Sequence, residues 1–138
     1  MKKILFITSS SSYFWTETQI EILGENYECI STHSLAKAKE IIESGVDKIV
    51  MYPFYISWRN YDLSLAQGDL RNMAGYYFWV KDIFPKEIPT IVVLIKIQPK
   101  EFVTELLATG WQNEENVRFF DLDIKRQSSK TLAELIKS

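Results

Sequence analysis

Residues 47–61 read DKIVMYPFYISWRNY. Within them, Ile49-Val50-Met51 is continuously apolar, with Asp47-Lys48 before it and Pro53 just after. A half-exposed strand would alternate polar and apolar residues. A short unbroken apolar run bounded by charge and proline predicts a strand buried on both faces. The chain leaves this strand at Tyr52-Pro53 and enters a stretch crowded with rings: Phe54, Tyr55, Trp58 and Tyr61. Whatever the protein binds is expected where this strand ends.

Working outward, strands and helical stripes alternate. Lys3 to Thr8 reads as a first strand, with the serine run Thr8–Ser12 as the turn after it. A helix closing near Gly24 follows, with Thr16 and Gln19 at capping-box spacing. Tyr27–Thr32 is a weaker second strand; Ser34 then caps a helix carrying Leu35, Ala38, Ile41 and Ile42, closed by Gly45. After the aromatic loop, at about residues 53–69, Leu70, Met73, Ala74, Tyr77 and Phe78 mark a helix ended by Pro85 and Pro89. That stripe leaves Tyr76 or Trp79 exposed. Thr90–Ile97 is the most strand-like run of the chain. Pro99 suits a first helical position before Phe102, Val103, Leu106 and Leu107, and Gly110 terminates that helix. Val117–Leu122 is a fifth strand, and Ser128 or Ser129 caps a last helix with Leu132, Leu135 and Ile136.

Five β-α units predict an α/β, doubly wound domain with a parallel sheet and helices on both faces. With right-handed crossovers, the common five-stranded order is 2-1-3-4-5, and ligands collect at the carboxyl ends of strands one, three and four. Residues 1–138 are expected to form one such domain.

Composition narrows the function classes. Charged residues make up 25% of the 138, with net charge −2 and no block of like sign. Bulk attraction to nucleic acid or to an anionic membrane is therefore not expected. The apolar run Ile4–Ile7 is too short for a signal core or a span, and a cytoplasmic location is expected. Cys29 is the sole cysteine, which excludes a disulfide framework and a cysteine metal cage. His33 is the sole histidine, beside no nucleophile, so no catalytic constellation emerges and no metal site is expected.

The segments LGENYECISTHSLAKAKEIIESGVDKIVMYP, IPTIVVL and ATGWQNEENVRFFDL resemble the receiver domain of two-component response regulators. The likeness runs over nearly the whole chain and implies a flavodoxin/CheY-like fold and a role in signal transduction. A working receiver carries an acidic pair for Mg²⁺ after strand one and a phosphoacceptor aspartate ending strand three. A Ser or Thr ends strand four and a Lys ends strand five. Carboxylates suit a hard dication, and a carboxylate oxygen attacks phosphorus. Here the resemblance places those roles on Thr8, Ser9, Tyr52, Leu94 and about Asp121, and none matches. Neutral hydroxyls bind Mg²⁺ poorly, and a phenol with a pKa of about 10 is a poor nucleophile at neutral pH. Leu122 replaces the proline that usually follows the lysine. The resemblance thus implies a pseudo-receiver that is not phosphorylated, needs no cofactor and works by binding a protein partner, a second copy of itself included. By the same resemblance, its partner face would be helix four, strand five and helix five, near Trp111 and residues 119–124.

A second reading stays open. The serine run is similar to the hydroxyl-rich phosphate loop of flavodoxins, which implies FMN or another phosphate ligand with Trp58 or Tyr61 stacked on the ring. No glycine precedes Gly24, unlike that loop, and a plain turn with a helix cap is the alternative. Ser10, Ser11, Phe54, Tyr55, Trp58, Tyr61 and Lys96 form the candidate ligand or partner patch. The alternative there is a loop that folds down and buries its own rings.

Overall fold

In the computed structural model, which describes residues 1–10, 13–64, 66–95, 98–123 and 126–138, five strands pair into one all-parallel sheet. They are β1 (Lys2–Ile7), β2 (Tyr27–Thr32), β3 (Lys48–Met51), β4 (Thr90–Ile95) and β5 (Val117–Leu122), in the order β2-β1-β3-β4-β5. Five α-helices alternate with them: α1 (Tyr13–Leu23), α2 (Leu35–Glu43), α3 (Leu70–Phe78), α4 (Lys100–Leu107) and α5 (Arg126–Lys137). The architecture is the flavodoxin-like α/β arrangement that the strand-helix alternation predicts.

Burial follows the sequence pattern. Ile49, Val50 and Met51 are fully buried, as are all six residues of β4, because both strands have neighbours on each side and helices above and below. The edge strand β2 has half-buried residues and one exposed residue, Glu28. Helix α1 packs on α5, and α3 packs on α4. Ser34 caps α2 by accepting from the Lys37 N–H, and Gly45 (φ 101°) turns the chain out of that helix toward β3.

Several local readings are corrected. Thr16 and Gln19 are not a capping box: α1 is already formed at Tyr13, and both lie on its buried face. The i,i+3 spacing of a capping box is also that of two residues on one helix face. Gln19 uses it to reach α5, its Nε2 donating to the Ser129 carbonyl at 2.9 Å. Ser128 and Ser129 lie inside α5 rather than at its cap; the Ser128 hydroxyl accepts from the Asp123 N–H. Pro99 is the residue before α4, not its first turn. Neither Tyr76 nor Trp79 is exposed. Tyr76 is half-buried, and Trp79, one helical turn beyond the buried Gly75, packs its indole on Tyr76, Phe84 and Trp111 before the chain widens into a π turn (Trp79–Ile83). Ser11, Ser12, Lys96, Ile97, Ile124 and Lys125 lie outside the described residues.

Candidate functional site

At the carboxyl edge of the sheet, the described ends of β1, β3 and β4 carry buried, neutral side chains. In the parallel register Ile7 stands beside Met51, so Thr8 and Tyr52 leave the sheet side by side. The Tyr52 N–H donates to the Ile7 carbonyl at 2.8 Å, and the Thr8 N–H to the Thr32 carbonyl at 3.0 Å. Thr8, Ser9, Tyr52 and Leu94 are all buried. Asp121 pairs in register with Leu94 yet is exposed. Of the five positions that the receiver resemblance singles out, four are thus buried and neutral, and the one carboxylate is exposed.

Tyr52 fills the position. Its ring meets Phe54 edge-on at 5.5 Å, Phe54 lies 5.7 Å from Phe102 of α4, and Phe102 lies 5.6 Å from Tyr55. A line of four rings therefore runs from the strand end to the surface. Tyr52 and Phe54 are buried, whereas Tyr55 is 47% exposed. Burial pushes the Tyr52 phenol up to about 12, with a smaller contribution from Tyr55, so the ring stays uncharged well beyond neutral pH.

The loop from Pro53 to Asp69 is pinned rather than free. The Ser57 N–H donates to the His33 carbonyl and the Leu35 N–H to the Ser57 carbonyl, a one-rung parallel bridge to the start of α2. On the other side, the Tyr55 N–H donates to the Arg71 carbonyl of α3 at 2.8 Å. Tyr61 packs its ring 5.1 Å from Phe78, donates its hydroxyl to Asp82 and lies beneath the Lys81 ammonium. Burial, and then the hydrogen bond to Asp82, raise the Tyr61 pKa well above the usual phenol value. Phe54, Ile56 and Tyr61 face inward; Tyr55 and Trp58 face outward, Trp58 at 37% exposure. The candidate patch is thus divided: Phe54 and Tyr61 are loop core, Tyr55 and Trp58 are surface, and Ser10 is exposed at the turn after β1.

Two features escaped sequence reasoning. Tyr55 has φ 57°, the left-handed region that a bulky side chain rarely adopts. No pattern of residue types signals that. Gly75 lies inside α3 where the Pro53 backbone crosses it, so closely that a Cβ would stand 2.8 Å from the Pro53 carbonyl oxygen. A glycine within a helical stripe was its only signal.

Both tyrosines bind their protons more tightly when folded than when unfolded. Above the ordinary phenol value of 10 the unfolded chain ionises first, so stability falls as pH rises beyond that point. Urea midpoints are expected to hold steady up to about pH 9.5 and then drop. Tyr52→Phe should flatten part of that drop, as followed by fluorescence-detected unfolding at successive pH values.

No protein-family model and no curated protein matches this chain. Among solved structures, it is similar to part of the Francisella novicida lysine decarboxylase LdcF, with TM-score 0.50 and 15% identity. The match covers 99% of this chain but 17% of the decarboxylase chain. A likeness at that identity is one of fold.

Proposed function

We propose that this chain is a phosphorylation-independent, receiver-like domain that works by binding a protein partner through the exposed rings of the loop between β3 and α3. The observation that most supports this is Tyr55, a surface aromatic kept in a left-handed conformation by its hydrogen bond to Arg71 and its packing on Phe102. Backbone strain of that kind costs about 1–2 kcal/mol and persists where the surroundings over-determine it, often at recognition sites. Tyrosine and tryptophan supply large, stiff contact area and dominate interface hot spots. The closed strand end supports the other half of the reading. It holds buried hydroxyls and a phenol where phosphotransfer needs carboxylates. No helix among the described residues is long and apolar enough to cross a membrane.

The test compares wild type with the Tyr55→Ser/Trp58→Ser double variant as immobilised baits, and follows self-association by sedimentation velocity. The expected result is a partner, or a second copy, held by wild type and bound at least about tenfold more weakly by the variant at unchanged melting temperature. Equal retention of the same proteins by both baits would refute the assignment of the surface.

A further inference from the structure

The opposite edge of the sheet carries a second feature, independent of the partner surface. At the amino ends of β1, β3, β4 and β5 lies a cavity of about 380 Å³ whose walls include Lys2, Lys48 and Arg118. The strand register makes this convergence inevitable. Ile4 pairs with Lys48, Ile49 with Thr90, and Ile91 with Arg118, so Lys2, Lys48, Ile91 and Arg118 all project from one face of the sheet. Lys48 is fixed there by donating from Nζ to the Ile136 carbonyl at 2.8 Å, in the last turn of α5.

Three like charges lining one cavity repel one another unless something neutralises them. Among the described residues none of the three takes part in an ion pair. Asp47, the one acidic side chain on the wall, accepts from the Lys3 N–H at 2.7 Å and offsets one of these charges, which leaves an excess of positive charge. Burial, followed by the charges of Lys2 and Arg118, lowers the Lys48 pKa. Between the cations, Ile91 and Val117 supply an apolar wall. The volume lies within the range of small-molecule sites.

We infer that this amino-edge cavity is a binding site for a small phosphorylated anion, held by Lys2, Lys48 and Arg118, with the apolar wall taking the organic part of a ligand such as a nucleotide. Arginine and lysine together suit phosphoryl oxygens, the guanidinium as a two-pronged donor and the ammonium groups as compact charges.

The test is calorimetric titration of the full chain at low salt with inorganic phosphate, inorganic pyrophosphate and ADP. Wild type is compared with the Lys2→Gln/Arg118→Gln variant, which alters only exposed side chains. Pyrophosphate and ADP are expected to bind, and the variant to bind each at least about tenfold more weakly with an unchanged melting temperature. ADP tighter than pyrophosphate identifies a nucleotide-like ligand, and equal affinities a bare polyphosphate; both support the site. No binding of any of the three probes, or the same affinity in the variant, would overturn it.

Discussion

Replacing Trp111 by alanine is expected to lower stability by about 3–5 kcal/mol, the largest effect of any single substitution considered for this fold. The indole is fully buried. It meets Tyr76 at 5.4 Å, Trp79 at 5.8 Å and Phe119 at 5.4 Å, so it joins the end of α3, the turn after α4 and strand β5. Its removal leaves a cavity bounded by three other rings that cannot all move inward. For a domain of this size the melting temperature should fall by roughly 10 °C. Trp111→Phe should keep most of the stability, because the indole N–H makes no hydrogen bond among the described residues. Leu107→Ala, at a 38% exposed position of α4, is the control and should cost well under 1 kcal/mol. Trp111 lies beneath the face formed by α4 and β5, not on it. The phenylalanine variant is therefore also expected to retain whatever partner the wild type binds.

Gly75→Ala should destabilise the domain by about 1–3 kcal/mol, and its sign is the informative part. Alanine is the better helix former by about 1 kcal/mol, so an ordinary interior helix glycine would gain from the change. Here the added methyl would stand 2.8 Å from the Pro53 oxygen and 2.9 Å from its Cα. Pro53 cannot easily retreat. It follows Tyr52, which is bonded to Ile7, and precedes Tyr55, which is bonded to Arg71 only one turn from Gly75. The clash therefore lifts the aromatic loop as a unit. Equilibrium unfolding should show the loss, and hydrogen exchange should show increased opening confined to residues 53–61. A stabilised Gly75→Ala variant would mean that the loop does not seat on α3 as described.

The fold was legible because its signals are local and redundant. The apolar runs at 49–51 and 90–95, each short and flanked by proline, fit buried parallel strands, and the alternation of five strands with helical stripes left few topologies. Tyr52 was legible in identity: on the receiver resemblance, a phenol stands where a phosphoacceptor carboxylate would be expected. The division of the aromatic loop was not. Which of Phe54, Tyr55, Trp58 and Tyr61 turn inward depends on hydrogen bonds to His33, Leu35 and Arg71, residues distant in sequence that bear no mark of that role. The expectation that Tyr76 or Trp79 is left exposed failed for a related reason. A 3.6-residue period within one helix cannot anticipate that Trp111, distant in sequence, packs against both rings. Lys2, Lys48 and Arg118 belong to three separate strands, and only the strand register shows that they share one face.

The closure of the strand end by Tyr52 is the point on which the functional reading turns, and it can be measured directly. Intact-protein mass spectrometry after incubation with acetyl phosphate and Mg²⁺ should show an unmodified chain, and partner binding should be the same before and after treatment. A hydroxylamine-labile acyl phosphate on this protein, or partner binding that appears only after the treatment, would contradict it.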